Sequence, residues 1–223
     1  DYDKVHGRTF PVVSVALDIS GSCNLRCQYC AESGTLPQRS PMSEGILRRS
    51  LEFVFSQAPE QCAVSVHLGS GEPLLQPSMV EMIGEISRRK ERESKRPVDL
   101  HITTNGTLLT DGIITHLDRY GWNVKISIDG PQEIHDRYRT DASGNPTFHR
   151  VSKGIRQLLT LMPETLSTTS VLCHGTDPSA VFYSLAGMGV KQIELVPVSL
   201  KGGSGLQLDE TDLSAYRNFI ADY

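Results

Sequence analysis

Six times along this chain an apolar, strand-like run is followed by a stretch of helical periodicity, and that alternation constrains the fold more than any other feature. The strands read near Val12–Ser20, Ala63–Gly69, Val98–Thr104, Asn123–Ile128, Ser167–Cys173 and Gln192–Val198. The first intervening helix starts behind Ser43 as cap and carries Ile46, Leu47, Leu51, Val54 and Phe55 on its apolar face. Met79, Val80, Ile83 and Ile86 mark the second helix, and Ile113, Ile114, Leu117 and Tyr120 the third, with Gly121 as its C-terminal cap. A long loop then precedes the helix of Phe148, Val151, Ile155, Leu158 and Leu159. Asp177-Pro178 opens the fifth helix in the cap-then-proline order, and Gly189 closes it. A Gly-rich loop at 201–205 leads to a last helix with Leu213, Tyr216 and Ile220. Strict alternation of this kind requires parallel strands joined by helical crossovers. Six units are too few for the eight-stranded barrel, which leaves an open, partial barrel or a doubly wound sheet. Both collect ligands at the C-terminal ends of their strands.

The unusual residues stand at those ends. Directly after the first strand, Cys23, Cys27 and Cys30 form a C-x3-C-x2-C loop. Three thiolates can hold three irons of a [4Fe–4S] cube and leave the fourth iron open to a ligand. The alternatives are a structural zinc site or three unrelated cysteines. Zinc wants four ligands, usually in two close pairs, and Cys62 and Cys173 are isolated from the loop and from each other.

Composition narrows the class. Of 223 residues, 38% are hydrophobic and 22% charged, which suits a soluble protein with a sizeable core. The formal net charge of −4 provides no global field for nucleic acid or an anionic membrane. The basic run at 88–96 is interleaved with glutamate and reads as the solvated end of an amphipathic helix. No apolar stretch reaches spanning length, and no signal peptide opens the chain. Five cysteines, three of them clustered, are not a secreted disulfide framework, so a reducing cytoplasm is expected.

After the second strand, Gly69-Ser70-Gly71-Glu72-Pro73 is either a plain turn or a loop whose Gly71 admits a ligand to the backbone while Glu72 accepts from an amine. After the third, Thr104-Asn105-Gly106-Thr107 is a turn or a contact. Ser127-Ile128-Asp129 and Arg139 follow the fourth, where an arginine can clamp a carboxylate with a serine as second donor. Leu195-Val196-Pro197 offers an apolar edge at the sixth. An open iron, an acceptor for an ammonium, a clamp for a carboxylate and an apolar slot for a base together describe S-adenosylmethionine.

With CNLRCQYC, SGEP, TNGT, SIDG and IELVP in this order, the sequence resembles the radical S-adenosylmethionine superfamily over essentially its whole length. The segment SIDGPQEIHDRYR, followed by Gly144, Phe148 and Val151, is similar to the peptide-modifying SPASM or twitch branch. That branch includes anaerobic sulfatase-maturating enzymes and ribosomal-peptide maturases. The resemblance implies an α/β fold, a partial (βα)6 TIM-like barrel, with residues 12–223 as the core and 1–11 as a lead-in. It implies a [4Fe–4S] cluster on Cys23, Cys27 and Cys30 and S-adenosyl-L-methionine as second cofactor. Tyr29 would lie near the adenine, and Gly71 and Glu72 would receive the methionyl amine, with Thr104 nearby. Ser127 and Arg139 would hold the carboxylate, Asp129 would reach the ribose region, and Leu195 would flank the adenine.

The activity so implied is reductive cleavage of S-adenosylmethionine to a 5′-deoxyadenosyl radical, which takes a hydrogen atom from a peptide or protein. An external electron donor such as flavodoxin or ferredoxin is expected, with neither nucleic acid nor membrane as partner. A small-molecule substrate and a non-catalytic metal-binding module are the alternatives. No residue is assigned to the chemistry after hydrogen abstraction, and Cys173, His135 and His174 are read mainly as structural. The sequence departs from the branch in carrying Ser70 where a glycine is usual. It also carries no SPASM or twitch extension, so a fragment of a longer enzyme is the expectation.

Overall fold

The computed structural model describes residues 11–32, 39–199 and 205–222. The lead-in at 1–10 and most of the Gly-rich loop at 201–205 lie outside the described residues. Six strands, β1 (Ser14–Leu17), β2 (Val64–Leu68), β3 (Val98–Thr104), β4 (Trp122–Ser127), β5 (Leu166–Leu172) and β6 (Ile193–Pro197), are all parallel and lie side by side in chain order. Right-handed crossovers through an unreversed strand order put the crossover helices on one side of the sheet. A doubly wound sheet needs a reversal of strand order, so the partial barrel is the architecture.

The helices are α1 (Glu44–Gln57), α2 (Pro77–Ser94), α3 (Asp111–Arg119), α4 (Gln132–Tyr138), α5 (Phe148–Leu161), α6 (Pro178–Gly187) and α7 (Glu210–Asp222). Their starts follow local chemistry. Ser43 caps α1 through its side chain on the Ile46 N–H, Thr110 does the same for α3, and Asp177 caps α6 with Pro178 in the first turn. Gly121 takes φ +61° just beyond α3, as its expected capping role requires. Gly130 is demanded by packing as well as by its φ of +82°, since a Cβ there would stand 2.7 Å from the Cα of Val181 on α6.

Strand parity divides each strand between two environments. Trp122, Val124 and Ile126 of β4 and Leu100 and Ile102 of β3 are fully buried against Leu47, Leu51, Ile83, Ile114, Leu117, Val151 and Ile155 of the helices. The alternate residues face the lumen and are mostly polar, with Ala16, Val171 and Val196 as apolar members beside His67, His101, Thr103, Asn123, Lys125, Ser127, Thr169 and Glu194. The core therefore lies between sheet and helices, and the lumen is a separate, largely polar space.

Three expectations are corrected. The first strand is shorter than Val12–Ser20, because Asp18 turns its carboxylate back onto the Gly21 N–H at 2.9 Å and the backbone leaves the ladder. The long loop after β4 contains a helix, α4, that buries His135 and Tyr138. Ile46, expected on the apolar face of α1, is 46% exposed.

Candidate active site

The cysteine loop follows β1 and is anchored by its non-cysteine members. Leu25 and Tyr29 are buried, while Cys23, Cys27 and Cys30 are half-buried free thiols. A segment more than a hundred residues away braces the loop from behind. The Arg26 N–H donates to the Thr140 carbonyl at 2.8 Å, the Gln28 N–H to that of Tyr138 at 3.0 Å, and Leu25 bridges antiparallel to Asp141. Much of the DRYR segment is thus backbone support for the cysteines.

The SGEP loop packs against the loop's other side. Ser70 and Gly71 both adopt left-handed backbone, φ +65° and +58°. A Cβ on Gly71 would fall 2.3 Å from the Ser22 carbonyl oxygen, which already accepts the Glu72 N–H at 2.8 Å. Ser70, standing where the branch has glycine, accepts this strain and donates from its hydroxyl to Glu32 at 2.6 Å.

Several of the residues anticipated as ligand contacts are engaged by the protein itself. Glu72 is completely buried, and its carboxylate accepts from Thr104 Oγ1 at 2.6 Å, Asn105 N at 2.7 Å and Leu74 N at 2.9 Å. It clasps the ends of β2 and β3 together; burial holds its pKa above the usual carboxylate value in spite of these donors. Thr104, 1% exposed, serves the same clasp. Asp129 is likewise fully buried. It accepts from Tyr29 Oη, from Arg139 Nε at 2.9 Å and from the Val171 N–H at 3.0 Å, so it ties the cysteine loop to β4 and β5. Tyr29 is fixed by that bond, with the Arg139 guanidinium 5.3 Å above its ring, so its hydroxyl faces the protein. Leu195 turns away from the lumen. Glu194 sits in register with lumen-facing Thr169, so the next side chain packs against the helical core, and its carbonyl takes the Tyr216 hydroxyl at 3.4 Å.

Ser127 ends β4 on the lumen face, and Arg139 stands beside the cysteines with its Nε committed to Asp129. Cys173, considered for the lumen, is fully buried with Tyr29 and Tyr138.

His135 extends the Asp129 cluster. The Asp129 N–H donates to its Nδ1 at 3.3 Å, and its Nε2 lies 2.9 Å from Thr147 Oγ1, which itself donates to the Arg139 carbonyl at 2.7 Å. That pattern requires a neutral ring with the proton on Nε2. Burial, aided by the Arg139 charge, lowers its pKa to about 4. The unfolded chain takes up this proton near pH 6.5, so His135 stabilises the fold fully above about 6.5 and loses that contribution as pH falls toward 4, by about 3 kcal/mol in all. Denaturant unfolding between pH 7 and 4.5 is expected to show this decline, and His135→Gln to flatten it; an equal decline in both proteins would refute the role.

A model of the Radical SAM superfamily matches residues 17–181. The chain belongs to the radical SAM superfamily. A serine-type anaerobic sulfatase-maturating enzyme of Bacteroides thetaiotaomicron is 36% identical over 155 residues, covering 66% of this chain and 36% of that protein. A probable GTP 3′,8-cyclase of Methanothermobacter thermautotrophicus is 29% identical over 180 residues, covering 79% and 53%. A solved anSMEcpe structure with bound AdoMet and Cp18Cys peptide superposes with a TM-score of 0.83 at 23% identity, covering 94% of this chain and 58% of that one, which establishes the shared fold. The chain thus spans 36% and 53% of the length of these two curated relatives.

Radical SAM proteins use a [4Fe–4S] cluster and S-adenosylmethionine, and the donor set here fits the cluster. Cys23, Cys27 and Cys30 are close enough to feel one another's charge; burial raises the pKa of Cys23, and it pushes the Cys27 thiol up to about 11 against the pull of Arg139. Elsewhere in the fold, the ligating atoms of His174, Asp209 and Asp212 lie within 4.8 Å of one another. The His174 trio is a structural clasp, with Asp212 accepting from His174 Nδ1 at 2.7 Å and the Gly175 N–H at 3.0 Å.

The lumen residues escaped the sequence reading. His67 and His101 stack at 4.5 Å with planes 7° apart, and Lys125 reaches Glu194 at 3.0 Å. The signal was available in the alternation of β3, where Asp99, His101 and Thr103 interleave with Val98, Leu100 and Ile102.

Proposed function

We propose that this chain is the core of an enzyme that cleaves S-adenosylmethionine reductively and abstracts a hydrogen atom from a peptide or protein substrate. The supporting observation is the cysteine loop itself: three free, half-buried thiols in a C-x3-C-x2-C spacing, directly after β1 at the C-terminal rim of a partial barrel. When bound, the cluster and S-adenosylmethionine supply one electron and a 5′-deoxyadenosyl radical. The protein's part is to hold, orient and shield. Cys23, Cys27 and Cys30 would ligate three irons. The left-handed Ser70-Gly71 backbone, rather than the Glu72 carboxylate, would meet the methionyl amine. Ser127 and the outer nitrogens of Arg139 would take the carboxylate, with Arg139 held in place by Asp129. The largely polar lumen face, with His67, His101, Lys125 and Glu194, would offer a substrate hydrogen-bonding partners.

A peptide substrate is favoured by the sulfatase-maturating relative, the more similar of the two described above. The electron would come from a small reductant protein such as flavodoxin or ferredoxin. Free thiols at the site suit a reducing cytoplasm, and among the described residues no helix is long and apolar enough to cross a membrane. The core barrel over 12–223 would be completed in the full-length enzyme by an extension of the SPASM or twitch type. The cyclase relative, which aligns with more of the chain, supports a small-molecule substrate as the second reading.

The test is anaerobic reconstitution with iron and sulfide, reduction with dithionite, and assay for 5′-deoxyadenosine. The product is expected, and its formation should accelerate with a sulfatase-derived peptide carrying serine or cysteine. Acceleration by GTP instead would favour the second reading. Tight zinc binding without cluster assembly would defeat both.

A further inference from the structure

The TNGT turn after β3 carries a residue that the proposed chemistry does not yet use. Asn105 is 7% exposed, and its side-chain Nδ2 lies 2.8 Å from Asn24 Oδ1 and 3.8 Å from Cys23 Sγ. The amide cannot be turned round. Its Oδ1 accepts the Thr107 backbone N–H at 3.0 Å and the Thr107 hydroxyl at 2.6 Å, and a backbone N–H can only donate. Thr107 Oγ1 in turn accepts from Asn24 Nδ2 at 2.9 Å, which closes a ring around the Cys23 side of the loop. The Asn105 backbone is pinned as well, its N–H held by the buried Glu72 carboxylate at 2.7 Å. A second donor, the Leu25 N–H, reaches the same sulfur at 3.4 Å.

We propose that Asn105 is a positioning residue for the cluster, donating an N–H···S hydrogen bond to the Cys23 thiolate and raising the reduction potential of the bound [4Fe–4S] group. The inference rests on the cluster-binding reading of Cys23, Cys27 and Cys30. Its physical basis is charge. A thiolate ligand concentrates negative charge on sulfur, and adding one electron to the cluster adds more. An N–H dipole aimed at that sulfur stabilises the more negative, reduced form more than the oxidised one. The rigid ring behind Asn105 keeps the donor in place without reorganisation when the electron arrives, and its near-complete burial limits screening by water. The electron itself comes from the external donor, or from dithionite in the test.

Iron and sulfide content and an EPR-monitored reductive titration of the reconstituted protein, without S-adenosylmethionine, provide the measurement. Asn105→Leu, which removes the donor, is expected to move the midpoint to more negative potential. Asn105→Asp, which replaces the donor with a charge, should move it further, by tenfold or more in the reduction equilibrium constant, or 59 mV for one electron. Variants with wild-type cluster content and an unmoved midpoint would overturn the proposal. Should the variants fail to retain cluster, the wild-type protein decides: side-chain-amide 15N-labelled asparagine is expected to give a nitrogen hyperfine coupling to the reduced cluster, and its absence overturns the hydrogen bond. A wild-type protein that takes up no iron and sulfide would instead remove the cluster reading on which this rests.

Discussion

Cys27→Ala, purified anaerobically and reconstituted with iron and sulfide, is expected to assemble no stable [4Fe–4S] cluster and to form no detectable 5′-deoxyadenosine. The loop offers three thiols, and the isolated cysteines cannot replace the lost one: Cys173 is fully buried behind Tyr29, and Cys62 sits in the loop before β2, at the opposite end of that strand from the site. The fold should survive, because the loop is anchored by Leu25, Tyr29 and the backbone pairing to Tyr138 and Thr140. A folded Cys27→Ala protein with full iron content and turnover would sink the assignment of the site. Iron analysis and circular dichroism on the same sample separate loss of cluster from loss of fold.

Asp129→Ala is expected to cost stability outright, by about 3–5 kcal/mol, the range for removing one partner of a buried ion pair. Arg139, 6% exposed, would keep its charge without a counter-ion, and the Tyr29 hydroxyl and the Val171 N–H would each lose an acceptor. Asp129→Asn restores the shape but not the charge and should recover only part of the loss. Chemical denaturation reads the effect directly. A change below about 1 kcal/mol in Asp129→Ala would mean the cluster of buried polar groups does not hold the loop.

What could be read in the sequence, and what could not, divides along a physical line. Strand β3 matches its expected limits, Val98–Thr104, because alternating burial on a long central strand leaves a strong period-two signal. Helix α4 escaped notice because QEIHDRY is a single, highly charged pair of turns whose burial depends on tertiary contacts of His135 and Tyr138. The motifs located the site, but not which way their side chains point. Glu72 and Asp129 read as ligand contacts because an acidic residue in a ligand loop is most simply an acceptor. Each instead accepts three protein donors, supplied by residues between 2 and 100 positions away. The direction of Leu195 was not legible either, since strand parity is set by pairing with β5 and Glu194 takes the lumen side.

The brace behind the cysteines has a consequence for biosynthesis. Cys30 leaves the ribosome about a hundred residues before Arg137–Asp141, the segment whose carbonyls and strand bridge hold the loop in shape. At synthesis rates of about 5–20 residues per second, that gap lasts roughly 5–20 s. For this interval three thiols are displayed on a nascent chain that cannot yet arrange them, open to oxidants and to stray metal ions. Cluster delivery is then a step that follows translation of the β4–α5 region, and any ion captured earlier has to be displaced. The order of the genetic message, and not only the final geometry, sets when this protein can first receive iron.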